Sequence, residues 1–174
     1  NETYWMAGQL DDRPGSHLVP EAFFQHVSNQ RIHSALFCEQ PNLESVSELF
    51  EQMVVRIEEE LSVFCEKYKI DVLIPQNALC LPMPVTLGYA LSRFISKNSF
   101  PTIAHHHDFF WERERYNTHP LGAGLADNFP PSTQTIEHVV INSAAGQDLM
   151  RRKGLSSVVV PNVFHFEEEP APLD

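Results

Sequence analysis

The sequence predicts a single Rossmann-like α/β domain, with an open, mainly parallel sheet and helices on both faces. Apolar runs typical of strands alternate with stretches of helical periodicity along most of the chain. A helix between two strands returns the chain to the start of the sheet in a right-handed crossover. Strands connected in this way therefore run parallel. The chain has 174 residues, of which 43% are hydrophobic, and this is enough for one domain with a sizeable core.

The first part of the chain combines two short apolar stretches with one long helix. TYWMAGQL and HLVPEAFF begin the alternating pattern and are separated by the turn-prone sequence DDRPG. From Asn42 to about Lys69, apolar residues recur every three or four positions, which places them on one face of a helix. Asn42 is the candidate N-cap of this helix. The apolar positions of this face are Leu43, Val46, Phe50, Met53, Ile57, Leu61, Phe64 and Tyr68.

The remaining elements continue the alternation. Strands are predicted for IDVLIPQ, which is expected to be buried, and for FPTIAHHH, EHVVINS and SVVVPN. Helices are predicted for PVTLGYALSRFI, which begins with a proline, and for SAAGQDLMRRKGL. In the second of these helices, Ser143 is the candidate N-cap and Gly154 marks the C-terminal end.

Two segments are predicted to be irregular. Residues 118–134 contain three prolines and two glycines, which is typical of a long functional or disordered loop. The acidic tail FHFEEEPAPLD indicates a linker that leaves the domain. The expected organisation is therefore a domain over residues 1–166 and the start of an interdomain linker over residues 167–174.

Composition excludes several classes of function. The net charge of −11 argues against a surface that grips nucleic acid nonspecifically. Cys38, Cys65 and Cys80 lie in apolar segments without CxxC spacing, so buried free thiols are predicted rather than a disulfide or zinc framework. No membrane-length apolar run and no signal-peptide pattern is present, and a cytoplasmic location is expected. Nucleophile-elbow, phosphate-loop and dinucleotide motifs are also absent from the sequence.

Polar residues follow three of the predicted strands. They are the pair Gln76 and Asn77, the run from His105 to Asp108, and the pair Pro161 and Asn162. In an open parallel sheet, ligands gather beyond the carboxyl ends of the strands. Because side chains alternate along a strand, His105 and His107 are expected on one side and His106 on the other.

Two interpretations of the histidine run stay open on these residues alone. His105 and His107 offer two imidazoles on one face, and with Asp108 they would suit a metal-dependent hydrolase, although no third ligand motif is evident. Alternatively, neutral imidazoles and Asp108 would hydrogen-bond sugar hydroxyls or a phosphate. In that case Trp111 would stack on an apolar ring face and Arg113 or Arg115 would pair with an anion, although Trp111 also fits simple core packing. Asn77 fits a turn as well as a ligand contact.

The order of these segments resembles a known family. PQNALCLPMPVTLGYAL, PTIAHHHDFFWERERY, VVINSAAGQDLMRRKGL and VVVPNVF together resemble the N-terminal half of retaining GT-B glycosyltransferases of the group 1, or family 4, type. The most specific pieces are HHHDFFWER and VVVPNVFHFEEE, and the resemblance covers roughly residues 60–166. PNVF departs from the family, which usually has glycine after this asparagine.

The resemblance implies a role for each segment. It implies that this domain binds a sugar or other small-molecule acceptor and carries no cofactor or metal of its own. A nucleotide-sugar donor would be bound by a C-terminal domain that this sequence lacks, so the chain alone is expected to be inactive. His107 would lie near the transferred sugar and stabilise charge in the transition state. The residues implied to line the acceptor side are Asn77, His105, His106, Asp108, Trp111, Arg113 and Tyr116.

The sequence leaves two further possibilities open, a noncatalytic function and association with a membrane. A noncatalytic Rossmann-like binding module would fit the same fold, because fold alone does not determine function. The acidic charge disfavours docking to anionic lipids, but it leaves membrane association through a local basic patch open. No nucleic-acid partner is expected.

Overall fold

The computed structural model describes residues 2–11, 14–117 and 127–163, and it has the predicted α/β architecture. A small parallel sheet pairs β1 (Trp5–Ala7) with β2 (Ser16–Leu18). A larger parallel sheet has the order β3 (Thr102–His106), β4 (Ile136–Val140), β5 (Val158–Val159). Parallel strands with helical connections confirm the Rossmann-like fold class.

Helices connect and cover these strands. They are α1 (Val27–Leu36), α2 (Ser47–Tyr68), α3 (Val85–Asn98), α4 (Glu114–Asn117) and α5 (Ser143–Lys153). Short 3-10 turns lie at Pro20–Ala22, Glu44–Val46 and Phe110–Glu112. Within the described ranges, no helix is both long enough and apolar enough to cross a bilayer.

The long helix predicted from Asn42 to Lys69 is confirmed, with a 3-10 turn at its start. The Asn42 side-chain oxygen accepts a hydrogen bond from the Ser45 backbone N–H at 3.0 Å. The N-cap residue of the 3-10 turn is nevertheless Leu43 and that of α2 is Val46, so the prediction of Asn42 as the N-cap of the long helix is wrong. Lys69 ends α2 in the left-handed conformation, with φ of 52°. In α5, by contrast, the side chain that caps the N-terminus belongs to Asn142 and not to Ser143. Gly154 ends α5 as predicted.

The segment predicted as the strand IDVLIPQ lies beside β3 but is mostly exposed. The Ile103 N–H donates to the Leu73 carbonyl at 2.9 Å, and the His105 N–H donates to the Pro75 carbonyl at 3.1 Å. These parallel contacts make residues 73–76 a short extension of the larger sheet. Leu73 is buried, whereas Ile74 is 55% exposed, so the expectation of a buried strand is wrong.

Two apolar clusters form the core. One packs α2 and α3 against the sheet, with Ile57, Phe94 and Ala104 among its members. The other lies around Phe109 and Leu149. Full burial of a large apolar side chain contributes about 1.5 to 3 kcal/mol, so these clusters supply most of the stabilisation of the fold.

The larger sheet brings the carboxyl ends of its strands together at one edge. Asn77 follows the extension at residues 73–76, and its N–H donates to the His105 carbonyl at 2.8 Å. His107 follows β3, and the Val160 N–H, just after β5, donates to the Val140 carbonyl at 2.9 Å. Polar residues from separate parts of the sequence therefore meet at this edge.

Part of the predicted loop and the predicted linker lie outside the described residues. The first part of the loop, 118–126, and the tail from residue 164 belong to this group. The described remainder of the loop includes Phe129, which is fully buried. This side chain packs on α3 at Gly88, where an added Cβ would lie 2.2 Å from Phe129 Cε1. The domain limits themselves stay predictions.

Candidate functional site

Asn77 links the two loops that follow the sheet extension and β3. Its side-chain Oδ1 accepts a hydrogen bond from the His107 N–H at 2.9 Å, and its Nδ2 donates to Asp108 Oδ1 at 2.8 Å. The residue is in the left-handed conformation, with φ of 58°, which asparagine tolerates better than most residues. The turn that carries His107 is therefore held by a side chain from a neighbouring strand.

Both carboxylate oxygens of Asp108 accept hydrogen bonds from other side chains. Arg113 Nε donates to Asp108 Oδ2 at 2.6 Å, and a second guanidinium nitrogen contacts the same oxygen. Asn77, Asp108 and Arg113 thus form a connected polar network next to His107. The sequence resemblance implied substrate contacts for these three residues, and the structure gives them contacts with one another that fix the turn.

His107 is exposed at the centre of this arrangement. Among the described residues, no side chain or backbone group hydrogen-bonds its ring. The ring lies 4.8 Å from the His105 ring, in an edge-to-face orientation. An imidazole that is fixed through its backbone and open at its ring is available to a ligand.

His105 lies on the same side of β3 as His107. Its Nδ1 is 2.9 Å from Gln76 Oε1, within hydrogen-bond distance. Burial, followed by the neighbouring His107 ring, lowers the pKa of His105 below its ordinary value, so the ring is neutral at pH 7. A neutral imidazole can donate from one nitrogen and accept at the other.

His106 faces the opposite side of β3, as the alternation of side chains along a strand predicts. It is 1% exposed, and its Nε2 lies 2.9 Å from His138 Nδ1 on β4. Burial lowers the pKa of His106 to about 3 and that of His138 to about 4, so both rings are neutral. The implied substrate contact of His106 stays a prediction, and the contacts in the structure are those of a core residue.

Trp111 and Tyr116 also pack in the interior. Trp111 is 7% exposed, and its indole N–H donates to Asp148 Oδ2 at 2.6 Å. Its ring stacks on Phe109 with centroids 4.4 Å apart. Tyr116 is fully buried, and its ring meets Phe37 at 4.9 Å. Both rings are buried, and their implied acceptor contacts stay predictions.

A cavity of about 600 Å³ opens beside this network. It lies between the loop after β1 and the loop that begins at Gln76. Gln76 and Asn77 line it, and Asn77 also holds the His107 backbone, so one residue connects the cavity to the exposed imidazole. The full lining is Ala7, Gly8, Gln9, Leu10, Asp11, Ala22, Phe23, Phe24, Gln76, Asn77, Ala78, Leu81, Met83, Pro84 and Leu87.

The sequence interpretation missed the contribution of the first loop to this cavity. Residues 8–11 follow β1 directly and include the polar residues Gln9 and Asp11. Polar residues at the carboxyl end of a parallel strand indicate a ligand site, and this was the signal that could have found the loop. Gly8 is required there because an added Cβ would lie 2.2 Å from the Phe23 backbone nitrogen. This close approach depends on tertiary packing, which a strand pattern does not reveal.

The described residues do not assemble a metal site. In residues 2–11, 14–117 and 127–163, no three His, Cys, Asp or Glu side chains group as metal ligands would. His105 and His107 are close, but Asp108 is held by Asn77 and Arg113. The hydrolase interpretation therefore lacks its third ligand in the part of the chain that the structure describes.

The cysteines differ from one another in environment. All three are free, and Cys65 and Cys80 are buried as predicted, whereas Cys38 is exposed, so the prediction of burial is wrong for Cys38. Burial raises the pKa of Cys65 to about 11 and that of Cys80 further. The Cys80 thiol donates to Asn77 Oδ1 at 2.8 Å and so supports the polar network. Neither buried thiol has the thiolate character of a nucleophile.

Comparison with known proteins identifies two similar enzymes. The chain is 33% identical over 178 residues to a mannosylglucosylglycerate synthase of Petrotoga mobilis, an alignment that covers 99% of this chain and 40% of that protein. It is 35% identical over 151 residues to a mannosylglucosylglycerate synthase of Thermotoga maritima, covering 85% of this chain and 34% of that protein. Both relatives are glycosyltransferases, and the chain spans less than half of the length of either. No family model and no solved structure matches the chain.

Proposed function

We propose that this chain is the acceptor-binding domain of a retaining glycosyltransferase with the GT-B fold. The similarity to two mannosylglucosylglycerate synthases across nearly the whole chain is the observation that carries this proposal. The fold and the exposed His107 at the carboxyl edge of the sheet agree with it. The same activity was implied by the motif order of the sequence alone.

The name of the relatives suggests which substrates to test first. Their product contains a mannosyl, a glucosyl and a glycerate unit. The acceptor proposed for this chain is accordingly glucosylglycerate, and the donor is a nucleotide-diphosphate mannose. The cavity of about 600 Å³ beside Asn77 has room for an acceptor of this size.

His107 is proposed to be the catalytic residue of this domain. Its ring is exposed, while its backbone is fixed by Asn77. An imidazole placed this way can hydrogen-bond the transferred sugar and stabilise the positive charge that develops on it in the transition state. Asn77, Asp108 and Arg113 hold the turn that carries this ring, and the neutral imidazole of His105 packs edge to face beside it.

A second domain completes the proposed enzyme. The donor would be bound by a C-terminal domain connected through a linker that begins near residue 167, with transfer in the cleft between the two domains. The proposed location is the cytoplasm, where nucleotide sugars would be available. The proposed partners are a sugar acceptor and the donor domain, without nucleic acid, which agrees with the net charge of −11.

The test is a transfer assay with the longest polypeptide that the source organism makes from this gene. Incubation with a nucleotide-diphosphate mannose and glucosylglycerate should yield a product heavier by one hexose residue in mass spectrometry. Nuclear magnetic resonance of the new glycosidic bond should show the anomeric configuration of the donor. Absence of transfer to glucosylglycerate and to other sugar acceptors would overturn the proposal.

His107→Ala should reduce turnover by about 100-fold or more, which is typical of a lost transition-state contact. The matched control is His17→Ala on β2, which removes the contact between His17 Nε2 and Glu60 at 2.8 Å on another part of the domain. This control should lower thermal stability and leave turnover near normal. Near-normal turnover in His107→Ala would contradict the catalytic role while leaving the glycosyltransferase activity itself in place.

A further inference from the structure

The cavity of about 600 Å³ beside Asn77 has no positively charged side chain in its described lining. The one ionisable side chain in that lining is the carboxyl group of Asp11. The walls otherwise combine apolar side chains with the amides of Gln9, Gln76 and Asn77. The acceptor proposed above carries a carboxylate, which is costly to bind without a positive partner. A cation from outside this lining is therefore needed at the rim of the cavity.

Arg115 in α4 lies beside the wall of this cavity. One of its guanidinium nitrogens donates to Met83 Sδ at 3.3 Å. Met83 lines the cavity and is 40% exposed, and Arg115 is exposed as well. A thioether sulfur is only a weak acceptor, so this contact places the guanidinium next to the wall and leaves most of its N–H donors for a ligand.

Within the described part of the chain, no carboxylate forms an ion pair with Arg115. Arg113, two positions earlier, differs in this respect, because two of its guanidinium nitrogens contact Asp108 Oδ2. The Arg115 guanidinium lies over the ring of the buried Tyr116, with its central carbon 4.6 Å from the ring centroid. The sequence left Arg113 and Arg115 as alternatives for pairing with an anion, and these contacts favour Arg115.

One segment carries both His107 and Arg115, and each of these two residues contacts the wall of the cavity. Asn77 accepts from the His107 N–H at 2.9 Å, and Met83 accepts from Arg115 at 3.3 Å. Asn77 and Met83 both line the cavity. An acceptor that fills the cavity can therefore meet the turn of His107 at one end and the guanidinium of Arg115 at the other.

We infer that Arg115 recognises the carboxylate of the acceptor and so selects anionic acceptors over neutral glycosides of the same size. A guanidinium presents a planar pair of N–H donors that matches the two oxygens of a carboxylate. The glycerate end of glucosylglycerate would bind at Arg115, and its glucosyl unit would lie among the amide and apolar groups of the cavity. This assignment rests on the proposed function, because it takes glucosylglycerate as the acceptor.

The test compares two acceptors, with the longest polypeptide that the source organism makes from this gene. Glucosylglycerate carries the carboxylate, whereas glucosylglycerol has a neutral CH₂OH group in its place. Arg115→Ala should lower kcat/KM for glucosylglycerate by about 10- to 100-fold, mainly through KM, because hydrogen bonds to a charged group are lost. It should change kcat/KM for glucosylglycerol by no more than about twofold, as is typical of an exposed substitution.

Two further variants define the role of the guanidinium. Arg115→Lys keeps the charge but loses the planar pair of donors, so its kcat/KM for glucosylglycerate should lie between those of the unmodified protein and Arg115→Ala. The matched control is Arg151→Ala, which removes an exposed guanidinium that bonds to Asp148 on α5. This control should leave kcat/KM unchanged for both acceptors.

Binding of the anionic fragment alone gives a readout that does not depend on transfer. In nuclear magnetic resonance spectra of the same polypeptide with labelled methionine methyl groups, D-glycerate at about 50 mM should shift the Met83 signal, a concentration chosen for Kd values near 1 mM and above. Glycerol at the same concentration should not shift it. The shift with D-glycerate should be lost in Arg115→Ala, and Met83→Leu identifies the signal.

The outcomes separate this assignment from the proposed function. A loss confined to glucosylglycerate in Arg115→Ala, with the Met83 shift also lost, supports the assignment. Equal losses with both acceptors, no loss with glucosylglycerate, or a Met83 shift that persists in Arg115→Ala would overturn it and leave the glycosyltransferase activity in place. Absence of transfer to either acceptor by the unmodified protein would overturn the proposed function, and the assignment to Arg115 with it.

Discussion

At the scale of single residues, Asn77 determines how His107 is presented. The two residues are 30 positions apart, and the Asn77 side chain accepts from the His107 N–H. The sequence placed both of them at the ends of adjacent strands. It could not reveal their contact, because that contact depends on the register between residues 73–76 and β3 and on the left-handed conformation of Asn77.

Substitution of Asn77 should separate the contributions of its side chain and its backbone. Asn77→Ala removes the hydrogen bonds to His107 and Asp108 and places alanine in a left-handed conformation, which should cost about 2 to 4 kcal/mol of unfolding free energy. Asn77→Gly relieves the backbone cost and should be more stable than Asn77→Ala by about 1 to 2 kcal/mol. Urea denaturation of both variants measures the difference. Equal stabilities would contradict the conformational argument.

The buried pair of His106 and His138 should make stability depend on pH. Both pKa values lie below the ordinary value of 6.5, at about 3 and about 4, so below pH 6.5 the unfolded chain binds more protons than the folded protein. Stability should therefore be fully present above pH 6.5 and fall as the pH drops toward 4, by up to about 1.4 kcal/mol per pH unit for each histidine. Burial is the main cause of both pKa shifts, and the neighbours that lower the pKa further are His138, His105 and His107 for His106 and Lys153 for His138.

Urea denaturation between pH 7 and pH 4 measures this slope. His138→Gln removes one of the two groups and should reduce the slope by about half. Other groups that titrate in this range remain in the variant, so the comparison with the unmodified protein isolates the contribution of the pair. An identical slope in the variant would show that the pair does not control acid stability.

At the scale of elements, helices were predictable where they had a strong apolar pattern, as in α2 and α3, or clear end signals, as in α5. The helices that became α2 and α3 have apolar residues at regular intervals, and both were predicted from that pattern. No helix was predicted for α1, where few residues are apolar and the cap is His26 instead of a preferred capping residue. Asn29 of α1 is buried and accepts from Thr86 of α3 at 2.7 Å, a tertiary contact with no local signal.

The packing of α3 should depend on Gly88. An added Cβ would lie 2.2 Å from Phe129 Cε1 and 3.1 Å from the Ala78 carbonyl oxygen. Gly88→Ala should therefore destabilise the protein by about 1 to 3 kcal/mol through overpacking, although alanine favours helix formation by about 1 kcal/mol. Gly146→Ala in α5 is the matched control. There the nearest atom is the Ser157 hydroxyl at 3.0 Å, which can rotate away.

Thermal unfolding of the two glycine variants measures the effect. Gly88→Ala should unfold at a clearly lower temperature than Gly146→Ala. A double variant that combines Gly88→Ala with Phe129→Leu should recover part of the loss, because the smaller side chain gives the new methyl group space. If Gly88→Ala is as stable as the unmodified protein, Phe129 does not pack on α3 as the structure describes.

At the scale of the whole molecule, the two apolar clusters are connected. Phe50 and Tyr89 pack against both clusters and meet each other edge to face, with ring centroids 5.2 Å apart. The length and composition of the chain predicted a single domain with one sizeable core. The division into two clusters depends on how α2 and α3 cross the sheet, and the composition carries no information about that.

This connection predicts a single cooperative unfolding transition. Ile57 is fully buried in the cluster that contains α2, whereas Trp111 belongs to the other cluster. Ile57→Ala should cost about 2 to 5 kcal/mol. Since the clusters share Phe50 and Tyr89, that loss should shift the unfolding midpoint seen by Trp111 fluorescence as much as the midpoint seen by far-ultraviolet circular dichroism.

The measurement uses a Trp5→Phe background, so that the fluorescence comes from Trp111 alone, since the chain contains two tryptophans. Leu149→Ala, in the cluster of Trp111, is the reciprocal variant and should shift both signals together as well. A circular dichroism midpoint that moves in Ile57→Ala while the fluorescence midpoint stays would mean that the clusters unfold independently. In that case Phe50 and Tyr89 would be a contact between two units, and the cluster around Ile57 could lose its packing without disturbing the cluster around Phe109, which lies next to the turn that carries His107.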